Sequence, residues 1–132
     1  MAKLGRHSEA ISRLELALSL EPGLTDAWND LGNSRRACRQ QEAAKLAYLE
    51  AIHRDSKFAL AYYNLGIVEQ DLGCLSAAVQ AFQRAVSLRS DFVEAYHSLG
   101  LASYDQGDLP ASVAAFEATI RLKPDHAEAY CN

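Results

Sequence analysis

The sequence is poor in the residues that build disulfide frameworks and metal sites. It has three cysteines, Cys38, Cys74 and Cys131, and no two of them form a CxxC pair. An odd number of widely spaced thiols fits neither a set of disulfides nor the usual ligand spacing of structural zinc. We therefore expect no disulfide framework and no metal, and the free thiols favour a reducing, cytoplasmic compartment.

Common catalytic motifs are also missing. The chain contains no HExxH, no GxSxG and no glycine-rich phosphate loop, and its four histidines are scattered along the sequence. A nucleophile or an acid/base pair in a closed site is the minimum that an enzyme requires. The sequence therefore predicts neither enzymatic activity nor a cofactor.

Long hydrophobic runs and an excess of basic charge are absent too. No apolar stretch approaches the ~20 residues that a membrane-spanning helix needs. The formal net charge is −4, whereas binding to a nucleic acid backbone requires a basic face. These absences argue against membrane insertion and against a nucleic acid partner, and they leave a protein or peptide as the expected partner.

The sequence does contain a pattern that recurs every 34 residues. Such self-similarity is the signature of a repeat architecture. The series include Trp28, Tyr62, Tyr96 and Tyr130, then Leu31, Leu65 and Leu99, then Gly32, Gly66 and Gly100, and later in each unit Leu14, Tyr48, Phe82 and Phe116.

The pattern predicts two helices in each unit. Trp28 and Leu31 have the spacing of one helical face in the first half of a unit, and Ala44 and Tyr48 have it in the second half. Gly32 would let the two helices approach closely. Further along, Gly73 and Gly107 fall between helices, where a residue in the left-handed region is commonly glycine, and Asp108 with Pro110 marks a helix start.

Two helices per unit, with the pattern W/Y-x-x-L-G, A-x-x-x-F and P, resemble the tetratricopeptide repeat family over nearly the whole chain. The resemblance implies an all-α fold, an α-solenoid of antiparallel helix pairs in a right-handed superhelix. Local departures are Arg39 in place of a turn glycine, and Ser112 and Thr119 in place of small alanines. A coiled coil is the rival fold, but no heptad continues across Gly66, Gly73, Gly100 and Gly107.

The phase of the repeat predicts a single solenoid segment, residues 1–132. Residues 1–24 form a partial repeat, mainly a second helix at about 8–21, with residues 1–5 as the tail of a first helix. Full repeats follow at 25–58, 59–92 and 93–126, and residues 127–132 start a further one. This phase suggests a segment of a longer protein whose uncapped ends fray. An alternative is that the ends associate between molecules through an exposed stripe of Ile11, Leu14 and Leu18 on the first predicted helix.

First helices of the family line a concave, ligand-binding groove. The resemblance carries this role to positions in every unit of this chain. The predicted peptide-binding residues are Asn29, Asp30, Asn33, Leu60, Tyr63, Asn64, Ile67, Glu94, His97, Ser98, Leu101 and Tyr104. Apolar anchors among acidic neighbours favour a partner segment with apolar and some basic residues.

Two specialised modes of tetratricopeptide binding bear on this groove. The series Asp30, Asn64, Ser98 and Asn132 partly resembles the asparagine ladder of O-linked N-acetylglucosamine transferases, whose amides bind peptide backbone. A basic clamp for a terminal carboxylate is disfavoured, because Asn29, Glu94 and Ser98 stand where its cations are expected. The leading hypothesis is a non-catalytic scaffold that binds a peptide. The alternatives are a self-associating solenoid and the substrate-recruiting arm of a larger enzyme.

Overall fold

The computed structural model describes residues 2–123, and this part of the chain folds into seven α-helices with no strand. The helices pack as consecutive antiparallel pairs in one stack, so the fold is an all-α solenoid. Their bounds are α1 Ala2–Leu20, α2 Thr25–Ala37, α3 Gln41–Arg54, α4 Ala59–Asp71, α5 Leu75–Leu88, α6 Val93–Asp105 and α7 Leu109–Leu122.

The periodicity of the sequence is reproduced in the helix starts. The first helices α2, α4 and α6 begin at Thr25, Ala59 and Val93, and the second helices α3, α5 and α7 begin at Gln41, Leu75 and Leu109. Within each group the starts are 34 residues apart. The predictions for residues 127–132, including Asn132, lie outside the described residues.

Each pair is held by a ring of the second helix packed on a glycine of the first. A Cβ added to Gly32 would lie 2.5 Å from Cε1 of Tyr48, and one added to Gly66 would lie 2.5 Å from Cε1 of Phe82. Both rings are fully buried. The close approach that glycine permits therefore brings the two helices of a pair into contact through an aromatic side chain.

The turns inside the pairs share one geometry. Gly73 and Gly107 have φ values of 81° and 84°, and Arg39 adopts the same left-handed region at φ 62°. Each is followed by a backbone hydrogen bond that closes the helix end, from Gln40 N to Arg35 O at 2.8 Å in the first turn. The predicted helix start at Asp108 is confirmed, since its side chain accepts a hydrogen bond from Ala111 N at 3.2 Å.

Polar replacements in the third unit find partners inside the core. The Ser112 hydroxyl donates to Gly100 O at 2.9 Å, and the Thr119 hydroxyl donates to Ala115 O at 3.0 Å. Both side chains are buried. Because their hydrogen bonds are satisfied, these residues fit where the other units carry alanine.

The first helix differs from its prediction in two ways. Helix α1 continues without a break from Ala2 to Leu20, so the assignment of residues 1–5 to the tail of a separate helix is wrong. The expected exposed stripe is also wrong for Leu18, which is 5% exposed and packs with Leu31 and Ala47. Within residues 6–20 of α1, the large apolar side chains that face solvent are Leu16 and Leu20.

Candidate functional site

The predicted groove lies on the first helices α2, α4 and α6. Three of its residues present large apolar side chains to solvent, with Leu60 38% exposed, Leu101 39% and Tyr104 60%. By contrast, Leu65 and Leu99 on the same helices are buried. The fold therefore already buries the apolar face that it needs, and the exposed side chains are candidates for contact with a partner.

Tyr63 and Ile67 lie deeper than the sequence suggests. The Tyr63 ring centroid is 5.9 Å from that of Phe82 and 5.0 Å from that of Phe92. Ile67 packs against the cluster that contains Phe82. Both side chains are half-buried, and the clusters that they pack against also contain Leu99 and Ala95 of the third repeat.

Asn29 and Asn64 are buried and hydrogen-bonded to each other. They are 3% and 5% exposed, and Asn64 Nδ2 donates to Asn29 Oδ1 at 3.1 Å. Because the two residues lie on α2 and α4, this bond crosses from one repeat to the next. One N–H of the Asn64 amide is thus engaged within the protein, which departs from a ladder of amides open to a peptide.

Asp30 and Asn33, two further predicted groove residues, are on α2. Partial burial raises the pKa of the Asp30 carboxyl above its ordinary value, and the Asp26 carboxylate raises it further. Asn33 is half-buried, and its Oδ1 accepts a hydrogen bond from the Tyr48 hydroxyl at 2.5 Å. The two N–H donors of the Asn33 amide are not used in this hydrogen bond.

The remaining predicted residues are on α6. Glu94 is exposed and Ser98 is half-buried. The His97 ring packs on Phe116, with centroids 5.8 Å apart. This histidine therefore takes part in the contact between α6 and α7.

Sequence reasoning missed a cleft between α1 and α2, where Asp30 and Asn33 meet Arg13, Leu14 and Ser34. Leu14 occupies the repeat position of Tyr48, whose ring packs on Gly32 of its own first helix, and no first helix among the described residues pairs with α1 in this way. No group of three or more His, Cys, Asp or Glu side chains within the described range could hold a metal ion. None of the seven helices is long and apolar enough to cross a membrane.

Comparison with known proteins agrees with this geometry. Two family models match, "TPR repeat" over residues 69–107 and "Tetratricopeptide repeat" over residues 97–131. The chain belongs to the tetratricopeptide repeat family. The solved structure of MamA superposes with a TM-score of 0.90 and 28% identity, over 96% of this chain and 74% of MamA.

Other similar proteins are one with a peptide-binding site and one receptor. YrrB, described as a TPR protein with an unusual peptide-binding site, is similar with a TM-score of 0.83 and 25% identity, over 98% of this chain and 66% of YrrB. The peroxisomal targeting signal receptor of Candida albicans is 33% identical over 72 residues. That match covers 54% of this chain and 12% of the receptor, so the chain spans a small part of that relative.

Proposed function

We propose that this chain is a non-catalytic scaffold that binds a peptide segment of a partner protein along its first helices. The observation that carries the proposal is the exposure of Leu60, Leu101 and Tyr104 on α4 and α6, beside leucines that the fold buries. Exposed leucine and tyrosine side chains on a rigid support are suitable anchors for a partner. The peptide-binding site named for YrrB gives a precedent in a similar fold.

The spacing of these residues suggests an extended ligand. Leu60 lies near the start of α4 and Tyr104 near the end of α6, at repeat positions ten residues apart. At 1.5 Å per residue this is about 15 Å along the helix direction. An extended segment of about five residues covers that distance.

Selection from a random dodecapeptide display library provides the test, followed by affinity measurement on the synthesised peptides. The double variant Leu101→Ser with Tyr104→Ser removes two anchors whose side chains are exposed, so the fold should persist by circular dichroism. We expect the affinity of the selected peptides to fall about tenfold or more, as for interface hot spots.

A matched control uses leucines away from the groove. Leu16→Ser with Leu20→Ser alters side chains on α1 that are 63% and 75% exposed, and it should leave peptide affinity unchanged. The proposal fails if peptides bind both double variants as tightly as they bind the original chain.

A further inference from the structure

The C-terminal end of α2 and the following helix carry basic residues that the fold pairs unequally. Arg35 on α2 donates to the Glu15 carboxylate at 2.6 Å, and Lys45 on α3 lies 3.3 Å from the Glu69 carboxylate. By contrast, the Arg36 side chain forms no ion pair and no hydrogen bond with any described residue. The packing of the repeats therefore leaves the Arg36 cation without a counterion.

The repeat places Arg36 in the predicted groove. Because the first helices begin at 34-residue intervals, Arg36 on α2 holds the position that Tyr104 holds on α6. Asn33, one helical turn earlier, holds the position of Leu101. Residues three apart lie on the same face of a helix, so the Arg36 guanidinium and the Asn33 amide border the same part of the groove. Asp30 is about 9 Å from Arg36 along the helix axis and forms no ion pair with it.

The guanidinium of Arg36 is partly buried and lacks an acceptor. The residue is half-buried, and its Nη1 atom is buried with no hydrogen-bond partner among the described residues. A buried donor without an acceptor is unfavourable, and this cost is relieved when the side chain turns towards an acceptor in the groove. Arginine has five N–H donors and no acceptor, and its planar fork matches the two oxygens of a carboxylate. The ligand chemistry that suits this point is therefore an anionic acceptor.

A hydrogen bond from α3 leaves the Asn33 side chain with donors only. The Tyr48 hydroxyl donates to Asn33 Oδ1 at 2.5 Å, so both N–H groups of Nδ2 remain available. Burial raises the pKa of the Tyr48 hydroxyl, and the nearby Arg36 charge lowers it by less. Asn33, Tyr48 and Arg36 thus form one cluster, and the groups that it offers to a ligand are hydrogen-bond donors.

The later repeats show that the stack of helices does not require this cluster. The equivalent positions are uncharged in both of them, with Ile67 and Gln70 on α4 and Leu101 and Tyr104 on α6. These helices pack into the same solenoid without a cation at this position. The donors on α2 are therefore available for a ligand instead of being needed for packing.

We propose that Arg36 and Asn33 bind the carboxylate of an aspartate or glutamate side chain in the partner segment. The Arg36 guanidinium donates to both carboxylate oxygens in the paired arrangement that arginine favours. Asn33 Nδ2 donates a further hydrogen bond to one of these oxygens. This subsite rests on the proposed function, and it adds an acidic residue to the chemistry of the partner segment.

The subsite also predicts where that acidic residue lies in the ligand. Arg36 and Tyr104 hold the same repeat position, so they are separated along the stack of first helices. Adjacent first helices are in contact, as the hydrogen bond between Asn29 and Asn64 shows, and packed helices lie about 8–10 Å apart. The two steps from α2 to α6 therefore span about 16–20 Å. At about 3.3 Å per residue, the acidic residue should be about five or six positions from the residue that contacts Tyr104.

Nuclear magnetic resonance titration of the ¹⁵N-labelled chain tests the subsite with three blocked amino acids. Nα-acetyl-L-glutamate methylamide supplies the carboxylate, the glutamine compound is its neutral isostere, and the lysine compound is a cation. We expect saturable shifts of the Arg36 Nε and Asn33 Nδ2 signals with the glutamate compound alone. Equal binding of the glutamine compound, preference for the lysine compound, or no saturable shift with the glutamate compound overturns the subsite.

Two arginine variants give a matched comparison, followed at the Asn33 amide. Arg36→Gln installs the residue that α4 carries as Gln70, so it should fold normally and weaken binding of the glutamate compound about fivefold or more. Arg39→Gln removes the same charge from an exposed side chain in the following turn, and it should leave the binding unchanged. Equal losses in the two variants would mean that overall charge attracts the glutamate compound, which rejects the subsite.

Peptides selected for the groove separate this result from that of the proposed function. Each is synthesised with an amidated C-terminus, once with its acidic residue and once with the corresponding amide. We expect the amide to lower affinity about fivefold or more for the original chain and to have no effect for Arg36→Gln. Peptides that depend on Leu101 and Tyr104 without this coupling support the proposed function and reject the subsite.

The titration also gives a result when no groove-dependent peptide is found. A blocked amino acid is too short to reach from Arg36 to Leu101 or Tyr104, so its binding does not depend on those anchors. In that case the proposed function fails, and the response of the Arg36 and Asn33 signals to the glutamate compound alone decides the subsite.

Discussion

The ring of Tyr48 lies directly against the backbone of Gly32, where a Cβ would come within 2.5 Å of Cε1 and 2.9 Å of Cζ. The ring is fully buried. Gly66 and Gly100 stand in the same relation to Phe82 and Phe116. The pairing of a glycine on one helix with a ring on the next is thus the contact that defines each helix pair.

Gly32→Ala should lower the free energy of unfolding in urea. Alanine favours the helix by about 1 kcal/mol, but overpacking a filled core costs about 1–3 kcal/mol, and displacement of a buried ring lies at the upper end of that range. We expect a net loss of about 1–2 kcal/mol. Gly23→Ala is the control, because a Cβ there has nothing within 4 Å. Equal stability of the two variants would contradict the packing argument.

The ion pair between Lys45 and Glu69 joins the first repeat to the second, with Nζ 3.3 Å from Oε1. The Glu69 side chain is 9% exposed. Lys45→Val alone should therefore destabilise the chain by about 1–3 kcal/mol, because a buried carboxylate loses its partner. The double variant Lys45→Val with Glu69→Ser should recover most of that loss.

This double variant copies the next junction, where Val79 and Ser103 occupy the same repeat positions. Chemical denaturation of the single and double variants gives the comparison. If the double variant unfolds with no higher free energy than Lys45→Val, removing the unpaired Glu69 carboxylate does not restore stability. The ion pair itself would then stabilise the fold.

The hydrogen bond between Asn29 and Asn64 should appear as a coupling energy in a double-mutant cycle. Asn64→Ala leaves Asn29 Oδ1 buried without this donor, which should cost about 1–2 kcal/mol. Asn29→Ala should cost a similar amount, and the two together less than their sum, because the second change removes an already unpaired group. Strictly additive losses in urea would mean that the bond does not form in solution.

Tyr48 should make the stability of the fold fall at high pH. Burial raises the pKa of its hydroxyl to about 12, whereas the Arg36 charge lowers it by less. The unfolded chain ionises its tyrosines near pH 10, so the stabilising effect is complete below that pH and is lost as the pH rises from about 10 to about 12. Tyr48→Phe should remove this part of the pH dependence in urea unfolding.

Phenylalanine is a suitable replacement at this position, since Phe82 and Phe116 occupy it in the later repeats. Absorbance at 295 nm should show one tyrosine fewer titrating late in the variant. Identical slopes of stability against pH for the variant and the original chain above pH 10 would reject the assignment.

The sequence predicts the helix pairs because the residues that build them recur in phase. Trp28, Leu31 and Gly32 have equivalents in every full unit, and the packing of glycine on a ring repeats with them. The predicted start of α1 at about residue 8 is wrong, since the helix begins at Ala2; the 34-residue series has no complete preceding unit against which that start could be set.

How deeply a predicted groove residue is buried depends on the side chains around it, which the 34-residue period alone does not specify. The same position in the repeat is an exposed Asp30 on α2 and a buried Asn64 on α4, where Asn64 has Asn29 of the preceding first helix beside it. Tyr63 is drawn inward by Phe82 and Phe92. The family pattern therefore indicates which helices form the surface, and neighbouring side chains of the same and the adjacent repeat decide which residues reach it.

Arg39 occupies, in the turn between α2 and α3, the left-handed conformation that glycine adopts in the later turns. A side chain at φ 62° is strained relative to glycine, yet the hydrogen bond from Gln40 N to Arg35 O matches the 2.8 Å of its counterpart from Cys74 N to Glu69 O. The helices on either side thus impose the turn whatever residue occupies it. A substitution in such a turn leaves the 34-residue spacing of the first helices unchanged. The side chains on those helices can therefore change while the distance between them is kept.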